Sequence, residues 1–135
     1  MKVRDLEGAH LDYCVAVARR GDADDIIWSR TYERYFYVVN TAEPGTVAHL
    51  EMPKFSTDWE AGGLLIELFH IRLEPTKLNW AAWEWTAWIK VDEGDVDYAE
   101  VDAVDAVGRG KTPLVAAMRA FVASRLGDEV SLPSS

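Results

Sequence analysis

The sequence predicts an α+β fold: a single domain over residues 1–135 in which two main helices pack against an antiparallel sheet. Helical periodicity with clear end signals lies toward the two ends of the chain, at 8–20 and 112–127. Between them, β-branched and aromatic residues gather in two runs, 26–52 and 80–104, each broken by turn chemistry. That is the pattern of hairpins, whereas a doubly wound fold alternates strands and helices regularly.

In the first helix, Leu11, Cys14, Val15 and Ala18 fall at helical spacing and Gly21-Asp22 supplies a stop. Asp5 would cap it well and Glu7 would not. Tyr13 and Val17 occupy the opposite side, so more than one face expects cover. Residues 26–39 alternate Trp28, Tyr32, Phe36 and Val38 with Ile27, Tyr35, Tyr37 and Val39, which is strand composition. The turn residues 40–45, ending in Pro44-Gly45, then allow 47–52 to return antiparallel to 34–39 until Pro53.

Thr57 and Glu60 have the spacing of a capping box, so a short helical turn opens there. Gly62-Gly63 then interrupts it, either to bend the backbone or to let another group come close. The short apolar run 64–70 fits helix or strand. Residues 80–91 read as a long strand with Trp83 and Trp85 on one face and Trp88, Glu84 and Lys90 on the other. Indoles on both faces place that strand between two layers. Residues 96–104 are the candidate antiparallel partner. The last helix carries the sharpest signals: a Thr112 cap, Pro113 at its first position and Gly127 past its end. Its apolar arc is wide, and Ala116, Ala120 and Ala123 line the other side, a small-residue face through which two copies could associate as a homodimer. Arg119, at the edge of the arc, expects a carboxylate partner, with Asp58 and Glu67 the candidates. Residues 130–132 suggest a final short strand and 133–135 a frayed tail.

Hydrophobic residues make up 49 % of the 135 and include six tryptophans, enough for one core of ordinary domain size. Lys and Arg number 14 against 23 Asp and Glu, a formal charge of −9. That surplus opposes direct nucleic-acid binding and attachment to a lipid surface, both of which need cations against phosphates. No apolar run reads as a signal peptide or a membrane span, and one cysteine, Cys14, fits a reducing compartment, so the cytoplasm is the expected location.

Candidate chemistry is sparse. Gly108-Arg109-Gly110-Lys111-Thr112 imitates a phosphate-binding loop, but the first glycine of that pattern would fall at Asp105. Glu67 and His70 have the spacing of two metal ligands on one helix face, yet His10 and His49 add no recognisable ligand spacing, so no metal site is expected. Asp92, Glu93, Asp95, Asp97, Glu100, Asp102 and Asp105 crowd seven acids into fourteen residues. They fit no EF-type calcium loop and read as a solvated edge or as an acidic surface for a basic partner. Cys14 lies in a core stripe, and no nucleophile, base and acid arrangement is visible, so no catalytic residue and no cofactor is assigned. The remaining candidate is a small-ligand or enzyme site at the turn of Thr57, Asp58, Trp59, Gly62 and Gly63, with Arg119 as the nearby cation. Its structural alternative has Trp59 plugging the core.

Two stretches carry a family resemblance: residues 56–63 with Ile66-Glu67, and residues 112–130, joined by the segment Leu6-Glu7-Gly8-Ala9-His10-Leu11-Asp12. They resemble the NinX-like family of small proteins encoded by phages and prophages, whose pattern around the last helix places Gly110, Thr112 and Pro113 and leaves Lys111 incidental. The resemblance implies a phage or prophage origin and supplies no mechanism. The expectation is therefore a non-enzymatic accessory protein that binds a host or phage macromolecule through an acidic surface at Asp92, Glu93, Asp95, Asp97 and Asp102.

Overall fold

The structure is a computed structural model that describes residues 1–21, 25–79, 82–90 and 105–132. After a 3-10 turn at Val3–Asp5 come helix α1 (Gly8–Arg20), strands β1 (Ile26–Ser29), β2 (Arg34–Asn40) and β3 (Val47–Glu51), and helix α2 (Trp59–Leu68). Strands β4 (Arg72–Asn79), β5 (Ala82–Lys90) and β6 (Asp105–Gly110) follow, and helix α3 (Pro113–Leu126) closes the order. The strands form two three-stranded antiparallel sheets, β1-β2-β3 and β4-β5-β6. The α+β class stands, but the single sheet expected from the two strand-rich runs is in fact two.

The helix ends follow local chemistry. Gly21 holds a left-handed conformation at φ 90° and its N–H returns to Val17 O, a C-terminal cap that a side chain would strain. Glu7 precedes α1 without a side-chain cap. The Thr112 hydroxyl accepts from Val115 N–H at 3.1 Å at the start of α3. At α2 the cap is Asp58, whose carboxylate accepts from Glu60 N–H at 3.0 Å, so the capping role falls one residue later than the Thr57 spacing predicts.

The glycine pair does not break α2, which runs through it to Leu68. Gly62 serves close approach: a Cβ there would stand 2.2 Å from Phe55 O and 2.8 Å from Leu114 Cδ2. The described antiparallel partner of β5 on this side is β6, whose glycines also serve close approach; the strand expected at 96–104 and the tail 133–135 lie outside the described residues. Residues 130–132 do not form a strand, although Lys2 and Glu129 make an isolated bridge. Strand β4 has no alternating signature in the sequence. It is an edge strand, where Pro75 is tolerated because one side of the backbone has no strand to bond.

The core centres on α3, whose Ala116, Ala117, Met118, Ala120, Phe121 and Val122 are all fully buried, against Leu11, Cys14 and Val15 of α1 and Ala87 and Ile89 of β5. Cys14 is a core residue as expected, and burial pushes its thiol up to about 11. Two of the three alanines expected to serve self-association instead pack inward, Ala116 and Ala120 lying against Gly108 of β6, while Ala123 is half-buried. The indole reading also needs correction. Trp85 and Trp88 are half-buried and Trp83 is 59 % exposed, while Ala87, beside Gly108 in the ladder, is completely buried. Helix and sheet approach so closely there that indoles have no room beneath α3. Outside it, the Arg72 guanidinium covers Trp88 at 4.6 Å from the ring centre and the Lys77 ammonium stands 5.8 Å from that of Trp83.

The first sheet joins through aromatic contacts to α1. Tyr35 stacks on Tyr13 at 4.5 Å and meets Trp28 edge-on at 4.7 Å, and its hydroxyl lies 3.1 Å from His10 Nδ1.

Gly108→Ala is expected to test the helix–sheet contact, since its Cβ would fall 2.3 Å from both Ala116 O and Ala120 N. Neither is a movable side chain, so the loss should reach the upper end of overpacking costs, about 3 kcal/mol. Urea unfolding of both proteins measures it.

Candidate functional site

The residues singled out at the α2 turn do not converge. Thr57 N–H and Asp58 N–H both return to Lys54 O, at 3.1 and 2.8 Å, which folds the chain into the helix. Gly62 faces inward against Phe55 and Leu114, while Trp59 points out, 57 % exposed, with its Cε3 3.5 Å from where a Cβ on Gly63 would lie. The expected core plug is therefore absent: the space Trp59 would fill is taken by Phe55 and Leu114, which Gly62 admits to the helix surface. Thr57 lines a different concavity from Arg119, and neither cleft is lined by Asp58, Trp59, Gly62 or Gly63.

Outward, α2 presents an unusual face. At about 100° per residue, Glu60 and Glu67 lie in the middle of the exposed arc, Trp59 on one flank and Leu64 and Leu68 on the other. Leu64 is 47 % and Leu68 54 % exposed. The helix contains no Lys or Arg, and its cap is Asp58. Leu65 and Gly62 alone are fully buried on this helix. Three large apolar side chains of this helix, Trp59, Leu64 and Leu68, thus stay about half exposed, which is costly in water unless something else covers them. Sequence reasoning missed Leu64 and Leu68 because an undivided apolar run does not say which side faces the core. Six apolar residues between 61 and 69 exceed what one buried stripe can hold, and that excess was the available signal. His70 lies beyond the end of α2 with φ 50°, off the helix face that would have set it beside Glu67, and no metal-ligand cluster occurs among the described residues.

Arg119 does not pair with Asp58 or Glu67. Its Nε donates to Leu6 O at 2.9 Å and its Nη1 to Arg109 O at 2.7 Å, so main-chain oxygens take the place of the expected carboxylate. Partial burial lowers its pKa, opposed by the charges of Glu7, Asp5 and Glu84. The head group borders a cleft of about 630 Å³ between β6, α3 and the paired segments 1–3 and 128–130.

A second, smaller cleft of about 390 Å³ lies between the start of α1 and the first sheet, lined by Asp12, Arg34, Glu51, Lys54 and Thr57 among others. Arg34 and Glu51 pair across it at 2.7 Å. Asp12 is buried, accepts from Ser56 N–H at 2.8 Å, and so ties the turn before α2 to α1. Desolvation raises the pKa of Asp12, against the opposing hydrogen bonds of Ser56 and the charge of Lys54. The expected acidic surface at Asp92, Glu93, Asp95, Asp97 and Asp102 lies outside the described residues.

Together these features define a small α+β domain of two three-stranded sheets, the second packed on a buried terminal helix and the first on α1, with an acidic, apolar-flanked helix face and a cation-lined cleft. The chain belongs to the family of bacteriophage P22 NinX, whose family model matches residues 2–125. Among solved structures it is similar to a phage protein from Bacillus cereus ATCC 14579, at 18 % identity over 92 % of this chain and 87 % of that one, with a TM-score of 0.47. Comparison with curated proteins gives no match. No described helix is long and apolar enough to cross a membrane.

The buried carboxyl gives a pH signature. A carboxyl with a higher pKa folded than unfolded stabilises the protein while protonated. That contribution is lost as pH rises from its ordinary 3.8 through the raised folded value. Asp12→Asn keeps the acceptor oxygen and cannot ionise. Urea midpoints measured from about pH 3.5 to 7 should therefore show the variant gaining on the native protein with rising pH, whereas parallel curves would contradict the assignment.

Proposed function

We propose that this protein is a non-enzymatic phage accessory protein that acts in the host cytoplasm by binding another protein, and that the outward face of α2 makes the contact. The observation that carries this reading is the exposure of Trp59, Leu64 and Leu68 on one short helix around Glu60 and Glu67. Exposed aromatic and aliphatic anchors grouped on one element are what protein interfaces use for affinity. The carboxylates specify the partner: an apolar surface carrying Lys or Arg, from the host or the phage, which gains complementary charge on docking. A second copy would place Glu60 and Glu67 against their equivalents, so this face favours a different protein over a homodimer. The acid-rich run from Asp92 to Asp105 and the net charge of −9 favour a basic partner for the same reason. The rival reading, a small-ligand or enzyme site at the same turn, gains no support from residues that point in different directions.

A photo-crosslinking residue placed at Leu64 or Leu68 in phage-infected cells tests the proposal. It should capture one protein from both positions, and the adduct should vanish when Glu60 and Glu67 are both changed to Lys. A residue placed at Val47, exposed on the first sheet, serves as the control. Equal capture from Val47, or capture indifferent to the charge reversal, would remove the reading.

A further inference from the structure

We propose that the cleft between β6, α3 and the paired segments 1–3 and 128–130 binds a phosphate group, either free or carried on a small molecule. The chain as a whole is strongly acidic, yet four cations, Lys2, Arg4, Arg109 and Arg119, line this one concavity, against Asp128 and Glu129 on its lining and Asp5, Glu7 and Glu84 near Arg119. Cations thus outnumber acids on the lining itself, the balance an anion requires. Among the described residues, none of these four cations makes an ion pair, whereas Arg20 and Arg34 elsewhere do.

Arg119 fixes the geometry. A guanidinium has five N–H donors. Two are spent on Leu6 O and Arg109 O, which hold the head group rigidly at the cleft wall, and the remaining donors have no protein acceptor among the described residues. A rigid, partly desolvated guanidinium favours an oxyanion, because charge-assisted hydrogen bonds gain most where water is already excluded and no side-chain freedom remains to be lost. Gly108 and Ala123 also line the cleft, and Val107 gives it an apolar patch. At about 630 Å³ the space exceeds a bare phosphate and is of the size of small-molecule sites. The site differs from a phosphate-binding loop: Lys111 does not line the cleft, and Arg109 of the same segment does.

Calorimetric titration of the full chain at constant ionic strength, with inorganic phosphate, adenosine monophosphate and adenosine as separate probes, tests this. Saturable binding of at least one phosphate probe is expected, with none of adenosine. Tighter binding of inorganic phosphate would mark a free-ion site, and tighter binding of the monophosphate a site for a carried phosphate. Arg4→Gln and Arg109→Gln should each weaken binding by about tenfold, while Lys111→Gln should change it by less than about twofold. Arg109→Gln leaves the carbonyl that holds Arg119 in place, and Arg4 is exposed, so both variants should melt like the native protein. No saturable binding, binding of adenosine equal to its monophosphate, or loss confined to Lys111→Gln would overturn the proposal. These residues are separate from the α2 face, so the result is independent of the crosslinking experiment.

Discussion

The near-contact of α3 with β6 is the constraint on which the rest of the structure depends. Gly108 brings the strand backbone against the helix backbone at Ala116 and Ala120, and Gly110 repeats the contact one pair along, against Val115. Such closeness removes the layer of side chains that usually separates helix from sheet, so dispersion between backbones replaces burial of large residues. The neighbouring strand position must then also be small, and Ala87 fills it. The indoles of β5 move to the margins, where cations cover Trp83 and Trp88.

The same contact sets the cleft. With β6 seated on α3, Arg119 reaches Arg109 O on one side and Leu6 O on the other, clamping strand, helix and amino-terminal segment together. The clamp uses main-chain oxygens that would otherwise need partners, so a positive head group is held where no carboxylate neutralises it by direct contact. Packing and electrostatics thus share a cause: a helix drawn close enough to touch a strand leaves a cationic recess beside it.

Charge is segregated over this surface. Carboxylates centre the outward face of α2, cations collect at the cleft, and the two regions share no residue. Opposite local fields of this kind would favour ligands of opposite charge, as the two proposals require. The smaller first sheet stands apart from both. It is fastened by the ring cluster of Tyr13, Trp28 and Tyr35, and its Val47 and Leu50 remain exposed.

Local physics was legible in the sequence wherever it acts within a few residues. The glycine stop of α1, the Thr112, Pro113 and Gly127 signals of α3, and the antiparallel return of β3 onto β2 follow from capping, φ preference and alternation. Part of the candidate surface was legible too, since Asp58 and Trp59 were marked by their turn chemistry. Tertiary structure decided what depends on distance between segments far apart in the chain. It split the strands into two sheets, turned the Ala116 and Ala120 face inward against glycines, and sent Trp59 outward because Gly62 lets Phe55 and Leu114 occupy the inner side. It also gave Arg119 carbonyl partners in place of a carboxylate. Periodicity records that a face is apolar or small, but what covers that face depends on which other segment the tertiary fold brings against it and how near it can come.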